Sequence, residues 1–428
     1  MQCYFVKRQC TVRVGRIVLQ REAAPEDMLK RSWVPSTHIF CGQVHWEIRA
    51  ITEICGKDAL EVIPVSKVMG LLPSLIEEPS QGQDLKAQLL DIRRRQEASE
   101  RPQAAGASLR GSTGSRVFQI VLINGTGTML GDNLVGAGVF HRLQQALVQE
   151  GLELRLTVVL GVNAAFGSES LWKRWPWVEK VYPCGVSLKT LQAFDASFDF
   201  SALLRKKGYS SENFFDFYIY HFGAKQEAFL PAERNPAIRI QQQALQEAKG
   251  FLAAALAARM TEAKAKHIDQ SPKVVLLQSS ASTPARSMSK NFVKRLLHFL
   301  FQSNQDQVVL VLTFDPVPEG LEPFAEQLIA CAPFSTNSID RFLALVFCAD
   351  EVLSVDSLAL HVAMGLGKPG TAFFALSPPE IRLRYAPQIR GVLIPGAAQL
   401  PYWEKHKADE AWETWEASYE KAWDAVAL

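Results

Sequence analysis

Two stretches of this 428-residue chain set a carboxylate between an apolar run and a helical pattern, where it can meet a ligand. The first is Asn124-Gly-Thr-Gly-Thr-Met-Leu-Gly-Asp132. Its Asp132 stands at the mouth of a helix, where it either caps the helix as an acidic residue or acts as a base toward a hydroxyl. The glycines at 125, 127 and 131 are one residue too wide for a G-x-G-x-x-G turn, and the next apolar run ends Val158-Val-Leu-Gly-Val-Asn163 without an acidic residue. Both features argue against a nicotinamide dinucleotide site. The second stretch delivers Asp356 from an apolar run into a helix that carries His361, with Gly365, Gly367 and Pro369 shaping the loop beyond. The free N–H groups of Ser357, Leu358 and Ala359 at such a helix start suit a diphosphate. The plainer alternatives are an N-cap role for Asp356 and a core role for His361. His38 and His45 flank Cys41, but a fourth ligand is missing and no metal site is expected.

The elements that must hold these residues follow from texture. Residues 1–78 mix short β-like runs (11–19, 38–48) with turn residues and read as a small N-terminal β-rich appended domain. Residues 79–115 turn polar and small, a helix fragment followed by a flexible linker. From Arg116 the chain alternates apolar, strand-length runs (117–123, 154–160) with a helical pattern (133–149). Fully apolar strands alternating with helices predict a parallel sheet covered on both faces. After an alanine-rich helix from Ile240 to about Lys266 the same order restarts. Strands are expected at 274–278, 308–313, 351–355 and 370–375, and helices at 291–302, 321–330, 339–347 and 357–366. The boundaries are therefore a first α/β domain at 116–266, a second at 267–395, and a C-terminal segment at 396–428. In that last segment Trp412, Trp415, Tyr419 and Trp423 make an aromatic stripe on a helix packing back on the body.

The chain is 48% hydrophobic and 21% charged, a composition that excludes a disordered protein. Its formal net charge of +2 gives no field that calls for nucleic acid. The seven cysteines are scattered and lack zinc or disulfide spacings. With charges throughout Met1–Val14 and no apolar run of about 20 residues, a cytoplasmic location is expected. Trp172-Lys-Arg-Trp-Pro-Trp177 and Arg205-Lys-Lys207 mix aromatics with cations and suggest peripheral contact with the inner membrane face.

The stretch Leu353-Ser-Val-Asp-Ser-Leu-Ala-Leu-His-Val-Ala-Met-Gly-Leu-Gly-Lys-Pro369 resembles the donor-site signature of the lipopolysaccharide heptosyltransferases, glycosyltransferase family 9. In that family the pattern reads Asp-Thr-Gly-x-x-His followed by Ala-x-x-x-Gly-x-Pro. Gly131-Asp132 is similar to the family's Gly-Asp, whose Asp is regarded as the catalytic base. The resemblance covers about residues 116–395. It implies two Rossmann-like domains facing across a cleft, the GT-B type, with the acceptor held by the first and the donor by the second. It also implies metal-independent, inverting transfer from a nucleotide sugar, ADP-heptose being the family expectation. No further cofactor is expected. Arg286 stands where the family has a phosphate-binding Lys, and Met288 where it has Trp. Glu319 lies near the position of the Glu that holds the nucleotide ribose, with Phe314-Asp315 replacing a glycine pair. Ser357 and Leu358 replace Thr and Gly, and Leu358 does not let backbone approach a phosphate as glycine does. Three readings follow: transfer to a lipopolysaccharide core or other surface glycan or glycolipid, transfer to a protein such as an adhesin or autotransporter, and a non-catalytic pseudoenzyme that keeps the fold for binding.

Overall fold

A computed structural model describes residues 2–7, 10–14, 17–21, 39–42, 45–63, 71–79, 83–98, 116–161, 164–265, 272–282, 286–304, 308–315, 327–331, 338–394 and 422–423. The chain divides into two compact units, Met1–Tyr209 with Phe215–Glu233, and Ser210–Phe214 with Arg234–Leu428.

The first unit begins with β1 (Gln2–Val6), β2 (Cys10–Val14), β3 (Ile17–Arg21), β4 (Ile39–Gly42), α1 (His45–Cys55), β5 (Leu60–Ile63), β6 (Ser74–Leu75) and α2 (Leu85–Ala98). It continues with β7 (Arg116–Ile123), α3 (Leu130–Gln149), β8 (Leu152–Val159), α4 (Ser168–Lys173), β9 (Val178–Tyr182), β10 (Val186–Ser187), α5 (Leu188–Leu191) and β11 (Ala196–Asp199). Helix α6 (Phe214–His221) follows, its first residue grouped with the second unit. The principal sheet has the order β6-β11-β7-β8-β9, and every pairing in it is parallel. Strands β7 and β8 are buried along most of their length, as the apolar runs required.

The N-terminal strands form a four-stranded antiparallel sheet, β10-β4-β1-β5, beside a β2–β3 hairpin. Its edge strand β10 comes from the α/β part, so that pairing ties the N-terminal sheet into the first unit. The run expected as a strand over 38–48 instead stops at Gly42 and becomes α1, which buries Ile51. Residues 85–98, in the region expected to hold a helix fragment ahead of a flexible linker, form a docked helix. Helix α2 buries Leu85, Leu89 and Ile92, and Arg93 donates to the Val117 carbonyl at 3.0 Å. The rest of that linker, 99–115, lies outside the described residues.

The second unit comprises α7 (Gln242–Ala265), β12 (Lys273–Gln278), α8 (Lys290–Gln302), β13 (Val309–Thr313), β14 (Leu328–Ala330), α9 (Ile339–Cys348), β15 (Glu351–Val355), α10 (Leu358–Leu366), β16 (Gly370–Phe374), α11 (Pro379–Arg382) and β17 (Ile389–Leu393). Its sheet is parallel throughout, in the order β14-β13-β12-β15-β16-β17. Counted from β12 this is 3-2-1-4-5-6, the doubly wound Rossmann order. Helices α8 and α9 start where serine demands it: Ser289 accepts from Phe292 N at 3.2 Å and Ser338 from Arg341 N at 3.3 Å. Helix α10 stops at Gly367, whose φ of 67° is the left-handed conformation glycine tolerates. The core beside β12 gathers Phe292, Leu296, Val311, Leu353 and Phe373, with the Trp423 ring 5.8 Å from that of Phe292.

One expected helix is corrected. Residues 328–330 are a strand in parallel register with β13, Leu312 opposite Ile329. A three-residue apolar run carries no period, so pairing at the sheet edge decides it. The rest of that segment, 321–326, lies outside the described residues, as do Trp412, Trp415 and Tyr419 of the C-terminal stripe.

Two glycines separate sheet packing from helix propensity. A Cβ at Gly370 would lie 2.0 Å from the carbonyl oxygen of Val352 on β15, whereas one at Gly250 on α7 would meet nothing within 4 Å. We expect Gly370→Ala to destabilise the protein by about 1–3 kcal/mol and Gly250→Ala to stabilise it by up to about 1 kcal/mol in urea unfolding. Equal effects from the two would refute the β15–β16 register.

Candidate functional site

In a doubly wound sheet the crevice lies where strand order reverses, at the carboxyl ends of the first and fourth strands. In the second unit those are β12 and β15, adjacent and parallel. Asp356 follows β15 immediately and His361 lies one turn into α10. Both are 7% exposed, and His361 Nε2 stands 3.9 Å from Asp356 Oδ1. That oxygen is buried and has no hydrogen-bond partner. A buried acceptor without a partner costs about 1–3 kcal/mol. Ser357 is the N-cap, but its hydroxyl lies 2.8 Å from that of Ser354 and makes no capping bond to the helix. Asp356 therefore does not cap α10, and the first N–H groups of that helix receive no bond from the Ser357 side chain.

The loop after β12 supplies the second wall. Arg286 donates through Nη2 to Ser282 Oγ, while its Nε is buried without a hydrogen-bond partner. Met288, standing where the resemblance has Trp, is buried in the core, and its N–H donates to the Ser279 carbonyl at 2.8 Å. Asp315, after β13, takes four hydrogen bonds: from Ser279 N (3.1 Å) and Oγ (2.6 Å), and from Ser280 N (3.0 Å) and Oγ (2.5 Å). A side chain of the protein thus occupies two backbone N–H groups at the switch point that could otherwise meet an anion. Glu319 lies outside the described residues.

Arg382, on α11, was not singled out from sequence. It is buried, its guanidinium lies 3.8 Å over the Phe214 ring, and its Nη1 donates to the Glu212 carbonyl at 3.0 Å. Asn213 Nδ2 in turn donates to the carbonyls of Ile381 (3.2 Å) and Arg382 (3.0 Å). The Phe214 ring stands edge-on to His361 at 5.3 Å. Residues 212–214 are thereby pinned against the helix that carries His361. Gly365 fits because a Cβ there would lie 2.4 Å from the Pro236 carbonyl oxygen. Pro369 accepts Val352 N–H at 3.0 Å.

Burial dominates the titration of His361 and pushes its pKa down to about 4; the Asp356 carboxylate pulls the other way, and the Arg382 and Arg286 cations add to the fall. The ring is therefore neutral near pH 7. Arg286, Asp356 and His361 share one electrostatic environment.

In the first unit Asp132 is the third residue of α3, behind Gly131, in the loop that follows β7. Asn133 fastens that loop. Its Nδ2 donates to the carbonyls of Gly127 (2.9 Å) and Met129 (3.0 Å), and its Oδ1 accepts from Trp172 Nε1 at 2.7 Å. Gly127 has φ 138°, and a Cβ there would lie 2.8 Å from the Asp132 carboxylate. Tyr209 donates to Asp132 Oδ1 at 3.1 Å. Tyr218 donates to the Thr126 carbonyl at 2.9 Å, with Asp132 Oδ1 a longer 3.5 Å away. Neither phenol is legible as a partner of Asp132 from sequence. Tyr218 sits in the run Phe214-Phe-Asp-Phe-Tyr-Ile-Tyr-His221, which reads as core.

The aromatic half of the expected membrane patch is corrected: Trp172, Trp175 and Trp177 are all buried. His141 explains two of them, stacking on Trp175 at 4.4 Å and accepting from Trp177 Nε1 at 3.2 Å. No helix among the described residues is long and apolar enough to cross a membrane.

The depressed pKa of His361 makes stability pH-dependent. The unfolded ring binds its proton near pH 6.5, the folded ring only near 4, so the unfolded state holds more protons between those values. The contribution is fully present above pH 6.5 and is lost progressively down to pH 4, up to about 3 kcal/mol. His361→Gln is expected to flatten urea-unfolding stability over that window. An unchanged slope would contradict the burial of a neutral ring.

No protein-family model and no curated protein matches this chain. In structure it is similar to a glycosyl transferase family 9 protein from Veillonella parvula, at 11% identity over 69% of this chain and 89% of that one, TM-score 0.41. It is also similar to E. coli ADP-heptose lps heptosyltransferase II, at 13% identity over 70% and 99% of the two chains, TM-score 0.44. A third similar structure is E. coli heptosyltransferase WaaC with ADP, at 12% identity over 68% and 99%, TM-score 0.38.

Proposed function

We propose that the chain is a glycosyltransferase that moves a sugar from a nucleotide diphosphate donor to an acceptor hydroxyl, with inversion at the anomeric carbon. The observation that carries this reading is the buried Asp356 Oδ1 without a partner, at the switch point beside neutral His361 and the partnerless Nε of Arg286. The carboxylate calls for a hydrogen-bond donor and the guanidinium for an anion. A sugar nucleotide brings both, hydroxyls and phosphates, in one molecule.

In the reaction the acceptor oxygen attacks the anomeric carbon, the bond from that carbon to the diphosphate oxygen breaks, and its electron pair leaves with the diphosphate. Asp132 takes the acceptor proton, oriented by Tyr209. Arg286 and the N-terminus of α10, at Ser357 and Leu358, stabilise the departing charge, so the reading needs no metal ion. His361 shapes the donor site without moving a proton. ADP-heptose is the donor that the resemblance implies, and a lipopolysaccharide core or other surface glycan the acceptor. A cytoplasmic setting goes with this reading. Peripheral membrane contact would fall to the cationic run Arg205–Lys207 and not to the buried tryptophans.

One observation favours a second reading, a non-catalytic binding protein on the same fold. Asp315 already fills the N–H groups of Ser279 and Ser280. An anionic side chain there disfavours a second anion.

Thermal unfolding with a panel of nucleotides and nucleotide sugars separates the two. A donor at 100 times its Kd adds about 2.7 kcal/mol of stability. We expect one nucleoside diphosphate and its sugar to raise Tm, and Arg286→Ala to abolish the rise. Absence of any shift across the panel would overturn the transferase reading in favour of the second.

A further inference from the structure

The turn after β12 is built to hold an anion, and the protein's own Asp315 fills it. Oδ2 of that carboxylate accepts from Ser279 N at 3.1 Å, Ser279 Oγ at 2.6 Å and Ser280 N at 3.0 Å, and Oδ1 accepts from Ser280 Oγ at 2.5 Å. Successive backbone N–H groups in a turn form the concavity that takes phosphate oxygens in other proteins. The first βα turn of a doubly wound sheet is also where a pyrophosphate approaches. The two carboxylate oxygens therefore stand in for two oxygens of a phosphate.

Asp315 and its donors are both fixed. The Asp315 N–H donates to Thr313 Oγ1 at 3.2 Å, and that hydroxyl donates back to the Asp315 carbonyl at 3.1 Å, which holds the residue at the end of β13. Gln278 Nε2 donates to Ser280 Oγ at 3.0 Å and to the Ser280 carbonyl at 3.1 Å, leaving the Ser280 hydroxyl hydrogen for Asp315. Strand β12 lies between β13 and β15, so Asp315 and Asp356 follow the strands on either side of it, and Arg286 is a cation of the loop between β12 and α8. A phosphate that meets this turn has two courses. It displaces Asp315 and breaks four hydrogen bonds to a charged group, or it settles beside the carboxylate and sets two anions together. The second course grows more costly with each charge the ligand brings. A terminal phosphate loses its second proton near about pH 6 and so carries charge that an esterified one lacks.

We propose that Asp315 is a specificity-determining residue, which bars free polyphosphates from the turn after β12 and so favours a diphosphate esterified at both ends over a free di- or triphosphate. That the esterified ligand is a sugar nucleotide rests on the glycosyltransferase reading. That Asp315 excludes free polyphosphates from the turn does not.

The test is titration calorimetry of the full chain with inorganic pyrophosphate, on wild type, Asp315→Asn and Asp315→Ala. Asn keeps the size and one acceptor oxygen and removes the charge, whereas Ala empties the turn. We expect both variants to bind pyrophosphate tighter than wild type by roughly tenfold or more, since the freed donors form charge-assisted bonds to the phosphate. Adding Ser280→Ala to Asp315→Ala is expected to reverse part of the gain, which places the pyrophosphate at this turn. Pyrophosphate affinity that is unchanged or lower in the variants, or a gain indifferent to Ser280→Ala, would overturn the proposal. Should Asp315→Ala fail to fold, Asp315→Asn with and without Ser280→Ala decides. Nucleotide-sugar titrations on the same samples tell the two readings apart. A gain for pyrophosphate with no nucleotide sugar bound removes the transferase alone, and nucleotide-sugar binding with no gain for pyrophosphate removes the role of Asp315 alone.

Discussion

A parallel strand covered on both faces can place polar groups only at its ends, and the rest of this protein follows from that constraint. In the second unit β12, β13 and β15 run as buried apolar stretches, and the chain becomes polar within two residues of their carboxyl ends, at Ser279, Asp315 and Asp356. Strand order reverses between β12 and β15, so the helices that follow them leave toward opposite faces and a crevice opens between. The first unit repeats the pattern at β7 and β11, with Asp132 beyond one and a cavity beyond the other.

The three carboxylates at these ends have different fates. Asp315 is saturated by four donors from its own chain and acts as a structural tie. Asp132 receives a phenol from Tyr209 and stays half-exposed, an arrangement that orients a carboxylate and keeps it reachable. Asp356 has a buried oxygen without a partner. Such a group lowers stability by about 1–3 kcal/mol until something donates to it. The His361 ring beside it, edge-on to Phe214, is neutral near pH 7 and so brings no positive charge to that carboxylate.

The sequence made the repeating strand and helix order legible because fully apolar runs and serine caps act locally. Predicted and observed strands agree within two residues at β7, β8, β12, β13, β15 and β16. It also singled out Asp132, Asp356 and His361 as candidates, since their types stand next to glycines and strand ends. What it hid depends on contacts between residues distant in the chain. Tyr209 reaches Asp132 across 77 positions, and Arg382 meets Glu212 across 170. Trp172, Trp175 and Trp177 look in sequence like a surface patch among cations, and only packing around His141 and Asn133 reveals them as core. Strand β14 was misread because its pairing, and not its period, defines it.

Turnover tests the central claim most directly. Release of nucleoside diphosphate from whichever nucleotide sugar binds would be followed with a surface-glycan acceptor fraction, comparing wild type with Asp132→Asn. The account predicts acceptor-dependent release by wild type and a rate lower by about 10²–10⁴-fold in the variant, with donor binding unchanged. Release at the wild-type rate by Asp132→Asn, or a donor that binds and is never turned over by wild type, would contradict it.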